Sequence, residues 1–258
     1  MFLRAPLPLP GVRHAFSTRG GGVSSSPWDT LNLAFNVDDD AEAVHENRAR
    51  FLHEAELGSK VAEVHQVHGH RVERAASPSD IGRLHQVEAD ALWTAHPELA
   101  VAVRTADCAP VLIAAYEAPP SSWPAAVAAV HAGWRGAVAG IVKRTVATLG
   151  QAGLQPHWMR VVVGPAIGPS AFEVGEEVVE AARASLGGRA PKVRPGPKGR
   201  PLLDLPELVR THALDAGIPD DQICVLERCT YSEPELFFSH RRDEGRTGRH
   251  LSAIRIAT

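Results

Sequence analysis

The amino-acid sequence predicts an α/β (α+β) layer fold built on mixed sheets. Two observations predict it. Strand-like and helix-like segments are interleaved along the chain, and several strand-like segments follow one another with no helix between them. Interleaving calls for helices packed on sheets, whereas direct strand-to-strand succession calls for antiparallel pairs. A mixed sheet is therefore favoured over a doubly wound parallel one. The 258 residues read as a single domain spanning 1–258, with no internal repeat and no linker, and 44% hydrophobic residues supply a substantial core.

Val12–Ser17 reads as a first strand that runs into the turn Thr18-Arg19-Gly20-Gly21-Gly22. Residues 41–57 place Val44, Phe51, Leu52 and Ala55 on one side, as an amphipathic helix does, and Asp39 or Asp40 is positioned to cap it. Val61–Val67 alternates apolar with polar and suits a half-buried strand. Leu99–Thr105 and Val111–Tyr116 are two further strands, separated by Ala106-Asp107-Cys108-Ala109-Pro110. Ala125–Val130 is a small-residue apolar run, read as a buried strand ending at His131. A helix runs from there to about Leu149, stopped by Gly150 or Gly153. Trp158–Val163 is a strand closed by Gly164-Pro165. Helices follow at about 174–186 and 204–216, the second opened by Asp204 and Pro206. Gln222–Leu226 and His250–Ile256 are late strands, with Cys224 a core residue of the first. The Gly/Pro-rich stretch 187–201 carries Arg189, Lys192, Arg194, Lys198 and Arg200 and reads as a mobile surface loop.

Composition limits the function classes. A net charge of −3 from 27 basic and 30 acidic residues leaves no electrostatic footprint for nucleic acid or an anionic membrane. A local basic pocket for a small anion is compatible with it. Three cysteines, Cys108, Cys224 and Cys229, do not make a disulfide framework and fit a reducing compartment. The first fourteen residues are too proline-rich and too short in apolar length for a secretory signal. No window approaches the roughly 20 apolar residues of a membrane span. The expectation is a soluble, cytoplasmic protein acting on small molecules.

Metal-capable side chains gather at three strand ends: His65-Gln66-Val67-His68-Gly69, the Asp107-Cys108 turn, and His131-Ala132-Gly133-Trp134-Arg135-Gly136. Sites in layered α/β proteins form where strand ends converge. A soft thiolate with two imidazoles suits zinc, and three protein ligands leave a fourth position for water or substrate. Gly69 and Gly133 let the backbone approach a bound group closely. Arg135 falls at a helix start, where free N–H groups favour an anion. Asp107 is placed either to move protons or to support the site by hydrogen bonding.

The motifs QVHG (66–69), TADCAPVL (105–112), HAGWRG (131–136), GPAIGPSAFEVG (164–175) and RCTY…FFSHRR…TGR (228–249) resemble the YfiH-type multicopper polyphenol oxidase (laccase domain) family. STRGGGVS (17–24) and LNLAFNV (31–37) extend the resemblance to essentially the whole chain. It implies a four-layer α-β-β-α sandwich and a zinc site made by His68, Cys108 and His131. It further implies purine nucleoside chemistry: phosphorolysis of adenosine, inosine, guanosine and methylthioadenosine, and deamination of adenosine. A bacterial branch implies instead a peptidoglycan precursor editing hydrolase that releases L-serine from UDP-MurNAc-L-serine. His240 stands where the family usually has tyrosine, and His65 where acidic residues are common; both departures bear on substrate preference.

The older family label, copper-dependent phenol oxidation, fits these residues poorly. Such oxidases gather several coppers on paired His-X-His motifs, and the sequence has one such pair, His68-Gly69-His70, and two methionines, Met1 and Met159. Copper is expected only as an adventitious occupant. For a zinc enzyme the ion lowers the pKa of bound water to roughly 7. Phosphorolysis additionally needs cations for phosphate, and Arg135, Arg19 and Arg48 are the candidates.

Overall fold

The computed structural model describes residues 1–118, 123–197 and 199–257; Lys198 lies outside the described residues. In chain order the elements are β1 (Phe2–Leu3), β2 (Val12–Ser17), α1 (Ala41–Glu54), β3 (Val61–Ala62), β4 (Val72–Arg74), α2 (Ile81–Leu84), β5 (Ala91–Thr94), β6 (Ala100–Thr105), β7 (Ala109–Tyr116), β8 (Pro124–Ala132), α3 (Trp134–Val138), α4 (Ile141–Gln151), β9 (Met159–Val163), α5 (Glu176–Ser185), β10 (Val193–Pro195), β11 (Pro201–Leu203), α6 (Leu205–Asp215), β12 (Ile223–Val225) and β13 (His250–Ile256). They build a five-stranded sheet in the order β1-β2-β13-β6-β3 and a six-stranded sheet in the order β12-β9-β7-β8-β5-β4. Both are mixed. β3 runs parallel to β6, β12 to β9 and β4 to β5, and the remaining pairs within these two sheets are antiparallel.

Strand parity sorts the apolar side chains into three interlayer spaces, because successive residues of a strand point to opposite faces. Leu112 and Ala114 of β7 and Val127 and Ala129 of β8 meet Val101 and Val103 of β6 and Ile254 of β13 between the sheets. Val111, Ile113, Ala128 and Val130 point the other way, onto Val142, Val146 and Leu149 of α4 and Leu208 and Val209 of α6. On the far side of the five-stranded sheet, Ala100, Ala102, Leu251 and Ala253 pack with Phe51 of α1. The layer order is helix, sheet, sheet, helix, the sandwich expected from the sequence. Asp40 caps α1 by accepting from the Glu42 amide, and Asp204 caps α6 through the Glu207 amide.

Four readings of the sequence change. The strand expected over Val61–Val67 is only two residues long. Beyond it Glu63 turns into a buried ion pair, and the amides of Val67, His68 and Gly69 turn toward the Asp90 carboxylate. The single helix expected up to Leu149 is two, α3 and α4, broken at Gly140 with φ of +80°. The stretch 187–201 is not wholly loop: Val193–Pro195 pairs antiparallel with Pro201–Leu203 in a small hairpin. Cys224 sits half-buried on the edge strand β12, packed against the inter-sheet core and not fully inside it.

The inter-sheet core gives a direct stability prediction. Leu112 is wholly buried between the sheets. Leu112→Ala is expected to lower the free energy of unfolding by about 2–5 kcal/mol, read as a shifted urea midpoint at constant slope. A loss below about 1 kcal/mol would show that this space collapses around the missing atoms.

Candidate metal centre and its cavity

The three metal-capable segments converge because the chain changes sheets between β6 and β7. Thr105 ends a strand of the five-stranded sheet, Ala109 starts one of the six-stranded sheet, and the turn between them carries Asp107 and Cys108. Asp107 takes φ of +89°, which a non-glycine residue adopts only when its surroundings hold it there. They do. Its two carboxylate oxygens accept from Thr230 Oγ1 at 2.6 Å and the Arg241 amide at 2.7 Å, and its carbonyl accepts from the Ile167 amide at 2.9 Å. His131 is the penultimate residue of β8. His68 lies on the loop after β3, with φ of +60°.

One buried carboxylate fixes two of these three. Asp90, fully buried just before β5, accepts from the amides of Val67, His68 and Gly69 at 3.2, 2.9 and 2.6 Å. It also pairs with His131 Nδ1 at 2.7 Å, which leaves Nε2 as the ring's ligand atom. Burial pushes the Asp90 carboxyl upward, but the hydrogen bond and charge of His131, with the Gly69 and Val67 amides, outweigh it and hold the pKa below the usual carboxylate range. Asp90 was not singled out in the sequence. Its only signal was an acidic residue placed at the mouth of an otherwise apolar strand, Ala91–Thr94.

His68, Cys108 and His131 come together with their ligand atoms all within 4.8 Å of one another. The imidazole rings of His68 and His131 are 4.8 Å apart and nearly perpendicular. Gly133 makes this approach possible: a Cβ there would lie 2.9 Å from His68 Cδ2 and 3.0 Å from Cys108 Sγ. Burial pushes the Cys108 thiol up, yet the charges and hydrogen bonds of His131 and His68 outweigh it and bring its pKa down to about 6. Burial likewise pushes His131 down, while the Cys108 thiolate and Asp90 outweigh it and raise its pKa to about 9. The residues fit a metal ion by their chemistry: a thiolate, two imidazoles, and a carboxylate behind one of the imidazoles.

The cluster opens into a cavity of about 430 Å³, within the size range of small-molecule sites. Asp107 and Arg135 border it; Arg19 and Arg48 are not among its lining residues. Arg19 instead reaches Asp29 and the carbonyl of Pro234, and Arg48 is tied to Glu63 and to the Leu33 carbonyl. Arg135 lies 4.4 Å over the Trp134 ring, so that ring is covered by a guanidinium. Three more arginines line the cavity: Arg104, Arg241 and Arg249. Arg104 and Arg249 were not singled out as phosphate candidates in the sequence: Arg104 lies thirty-one residues from the nearest other cavity arginine, Arg249 stood only as the end of the TGR motif, and β6–β13 pairing brings their strands together. His65 and His240, the two departures from the family pattern, both line the same cavity.

The profile of the "Multi-copper polyphenol oxidoreductase laccase" family matches residues 13–257. The chain belongs to this family. It is 41% identical over 249 residues to "Purine nucleoside phosphorylase YfiH" of Shigella flexneri, covering 96% of this chain and 95% of that protein. It is also 41% identical to "Purine nucleoside phosphorylase" of Deinococcus radiodurans, over 98% of this chain and 91% of the relative. The crystal structure of YlmD from Geobacillus stearothermophilus superposes with a TM-score of 0.89 at 35% identity, covering 100% of this chain and 96% of the other. Among the described residues no helix is long and apolar enough to cross a membrane.

Asp90→Asn tests the shared carboxylate. The amide keeps the shape but cannot satisfy three backbone N–H groups and an imidazole N–H together. The expected outcome is a folded protein with metal affinity lowered by about 10–100-fold, measured by competition with a chromophoric chelator. Unchanged affinity in a folded variant would remove Asp90 from the site.

Proposed function

We propose that the protein is a zinc-dependent purine nucleoside phosphorylase whose active site is the cavity at His68, Cys108 and His131. The observation that carries this reading is the set of four arginines, Arg104, Arg135, Arg241 and Arg249, around a cavity that also holds the His-Cys-His cluster. Relatives at about two-fifths identity over nearly the whole chain bear the name purine nucleoside phosphorylase, which supports a nucleoside-processing enzyme.

In phosphorolysis a phosphate oxygen forms a bond to C1′ of the ribose as the bond from C1′ to the purine nitrogen breaks. The purine leaves with the electron pair. The protein's part is to hold a dianion against the sugar, and guanidinium groups do this with paired, directed N–H donors. Asp107 keeps the Arg241 backbone at the cavity wall by accepting from its amide. Asp90 holds His131 in one tautomer and places the His68 loop. His68, Cys108 and His131 would hold a zinc ion, which would supply a Lewis acid beside the substrate. Arg135 stands at the exposed side of the cavity as a phosphate or substrate contact.

Deamination of adenosine is the weaker reading on one specific ground. It needs a carboxylate free to move protons. Asp107 is the only carboxylate among the described residues lining the cavity, and both its oxygens already accept hydrogen bonds.

Product analysis by mass spectrometry tests the proposal. Zinc-quantified protein incubated with adenosine is expected to give adenine and ribose-1-phosphate only when phosphate is present, and Cys108→Ala is expected to lose zinc and activity together. Inosine in place of adenine would assign deamination. No product from loaded enzyme would overturn nucleoside chemistry and make UDP-MurNAc-L-serine the substrate to assay. Activity that follows copper content and not zinc would overturn the metal assignment.

The metal can be tested separately through its protons. Near pH 7.5 the metal-free pair is a thiolate and an imidazolium, since Cys108 titrates at about 6 and His131 at about 9. Zinc needs His131 neutral, so uptake should release the His131 proton at that pH, in addition to any from the metal-bound water. The His131 contribution should vanish above about pH 9, where the ring is already neutral, leaving only what the metal-bound water releases, and total release should increase below about pH 6, where Cys108 carries its own proton. Calorimetry in buffers of different ionisation enthalpy reads this directly. A release that does not change with pH would contradict the ligand pair.

A further inference from the structure

Beyond the cavity wall lies a buried charge cluster in which Glu63 and Arg48 have no role in the reading above. Glu63 is 3% exposed and faces two guanidiniums: Arg48 Nη2 contacts Oε1, and Arg104 Nε lies 3.2 Å from Oε2. Two cations against one carboxylate leave one positive charge uncompensated. Of the two, Arg104 is the one that borders the cavity. Its hydrogen bonds are long, 3.3 Å from Nη1 to Asn36 Oδ1 and 3.3 Å from Nη2 to the Val64 carbonyl, and its buried Nε has no aligned acceptor. A guanidinium carries five N–H donors, so this one is under-used.

Arg249 comes close to it from the neighbouring strand. Arg249 directly precedes β13, whose Leu251 pairs with Arg104 in register. Its Nη1 donates to the carbonyls of Thr247 and Gly248 at 2.8 and 3.0 Å; among the described residues Nε and Nη2 meet no acceptor. Burial holds the Arg249 pKa below the usual value. Asp107 and Cys108 oppose that effect, and the charge of Arg104 reinforces it, so the two guanidiniums lie within electrostatic reach of each other. Two guanidiniums lining one cavity repel each other, and an anion bound between them would relieve that repulsion. The other two cavity arginines are differently occupied. Arg135 covers Trp134, while Arg241 lies over Phe172 and donates to the Glu173 carbonyl.

We propose that Arg104 and Arg249 form the seat of a phosphate dianion in this cavity, and that Glu63, shared with Arg48, is the positioning residue that holds Arg104 to it. The proposal rests on the phosphorolysis reading for its use in catalysis. The dianion comes either from free phosphate, as co-substrate, or from the phosphoryl group of a nucleotide.

Arg104→Met is the informative variant, because it leaves Glu63 paired with Arg48 and so spares the buried cluster an unpaired charge. Zinc-loaded wild type, Arg104→Met and Arg104→Lys would be titrated with inorganic phosphate and, separately, with AMP. The KM for phosphate and for adenosine would be measured alongside. Arg104→Met is expected to weaken phosphate at least about tenfold, the loss of one charge-assisted pair. Zinc content and the KM for adenosine should remain near wild type, and Arg104→Lys should recover part of the loss. Loss for inorganic phosphate alone assigns the seat to the co-substrate, and loss for AMP alone assigns it to a substrate phosphoryl group. Unchanged binding of both probes by a folded Arg104→Met overturns the seat. Failure of the wild type itself to bind or use phosphate is a different result, and that one overturns phosphorolysis.

Discussion

The site depends on one carboxylate. Asp90 is fully buried, yet it faces three backbone amides and the imidazole of His131. A buried charge is tolerable only when its lone pairs are satisfied, and each partner that satisfies this one is part of the site or one residue from it. Beyond Ala62 the loop that presents His68 is held by a single bridge at His65 and by Gln66 against the Arg104 backbone. From Val67 to Gly69 it takes its shape from the carboxylate. His131 is fixed in rotation and tautomer by the same oxygens. Cys108 is held independently, through the neighbouring Asp107 and its bonds to Thr230, Arg241 and Ile167. Two aspartates, one behind the histidines and one beside the cysteine, therefore set the geometry of the His-Cys-His cluster.

The second constraint is charge. Four arginines around one cavity would repel one another, and the fold disperses them by giving each a different companion: Glu63 behind Arg104, Trp134 beneath Arg135, Phe172 beneath Arg241, and carbonyls of its own loop for Arg249. None of these companions is a carboxylate pointing into the cavity. Among the described residues the cavity lining carries four guanidiniums against one carboxylate, Asp107, although the chain as a whole is slightly acidic.

Much of the fold was legible in the sequence, for physical reasons. Val12–Ser17 and His250–Ile256 match their strands to the residue, because polar residues set among apolar ones and bounding turns mark both segments. Asp40 and Asp204 announced their helices by capping chemistry. The three members of the His-Cys-His cluster were legible because each stands at a strand end beside a glycine or a turn. What could not be read was anything decided by long-range pairing. Ala91–Thr94 is buried on both faces and shows no alternation, so the strand preceded by Asp90 passed without notice. Glu63 fell inside an apparent strand because its polar character fitted the alternation, while its actual partners, Arg48 and Arg104, lie fifteen and more residues away. Arg48 was the instructive case: the residue type suited phosphate, but a buried acid had prior claim on it.

The change of sheet between Thr105 and Ala109 has a mechanical consequence. His68 follows a strand of one sheet, His131 belongs to the other, and Cys108 sits on the short link that passes from β6 to β7. An ion held by all three would act as a rivet through the two halves of the sandwich at its open edge. Metal supply would then govern more than turnover. A chain deprived of it would keep its three apolar layers but lose the fastening at the rim, and would become the form that proteases find first.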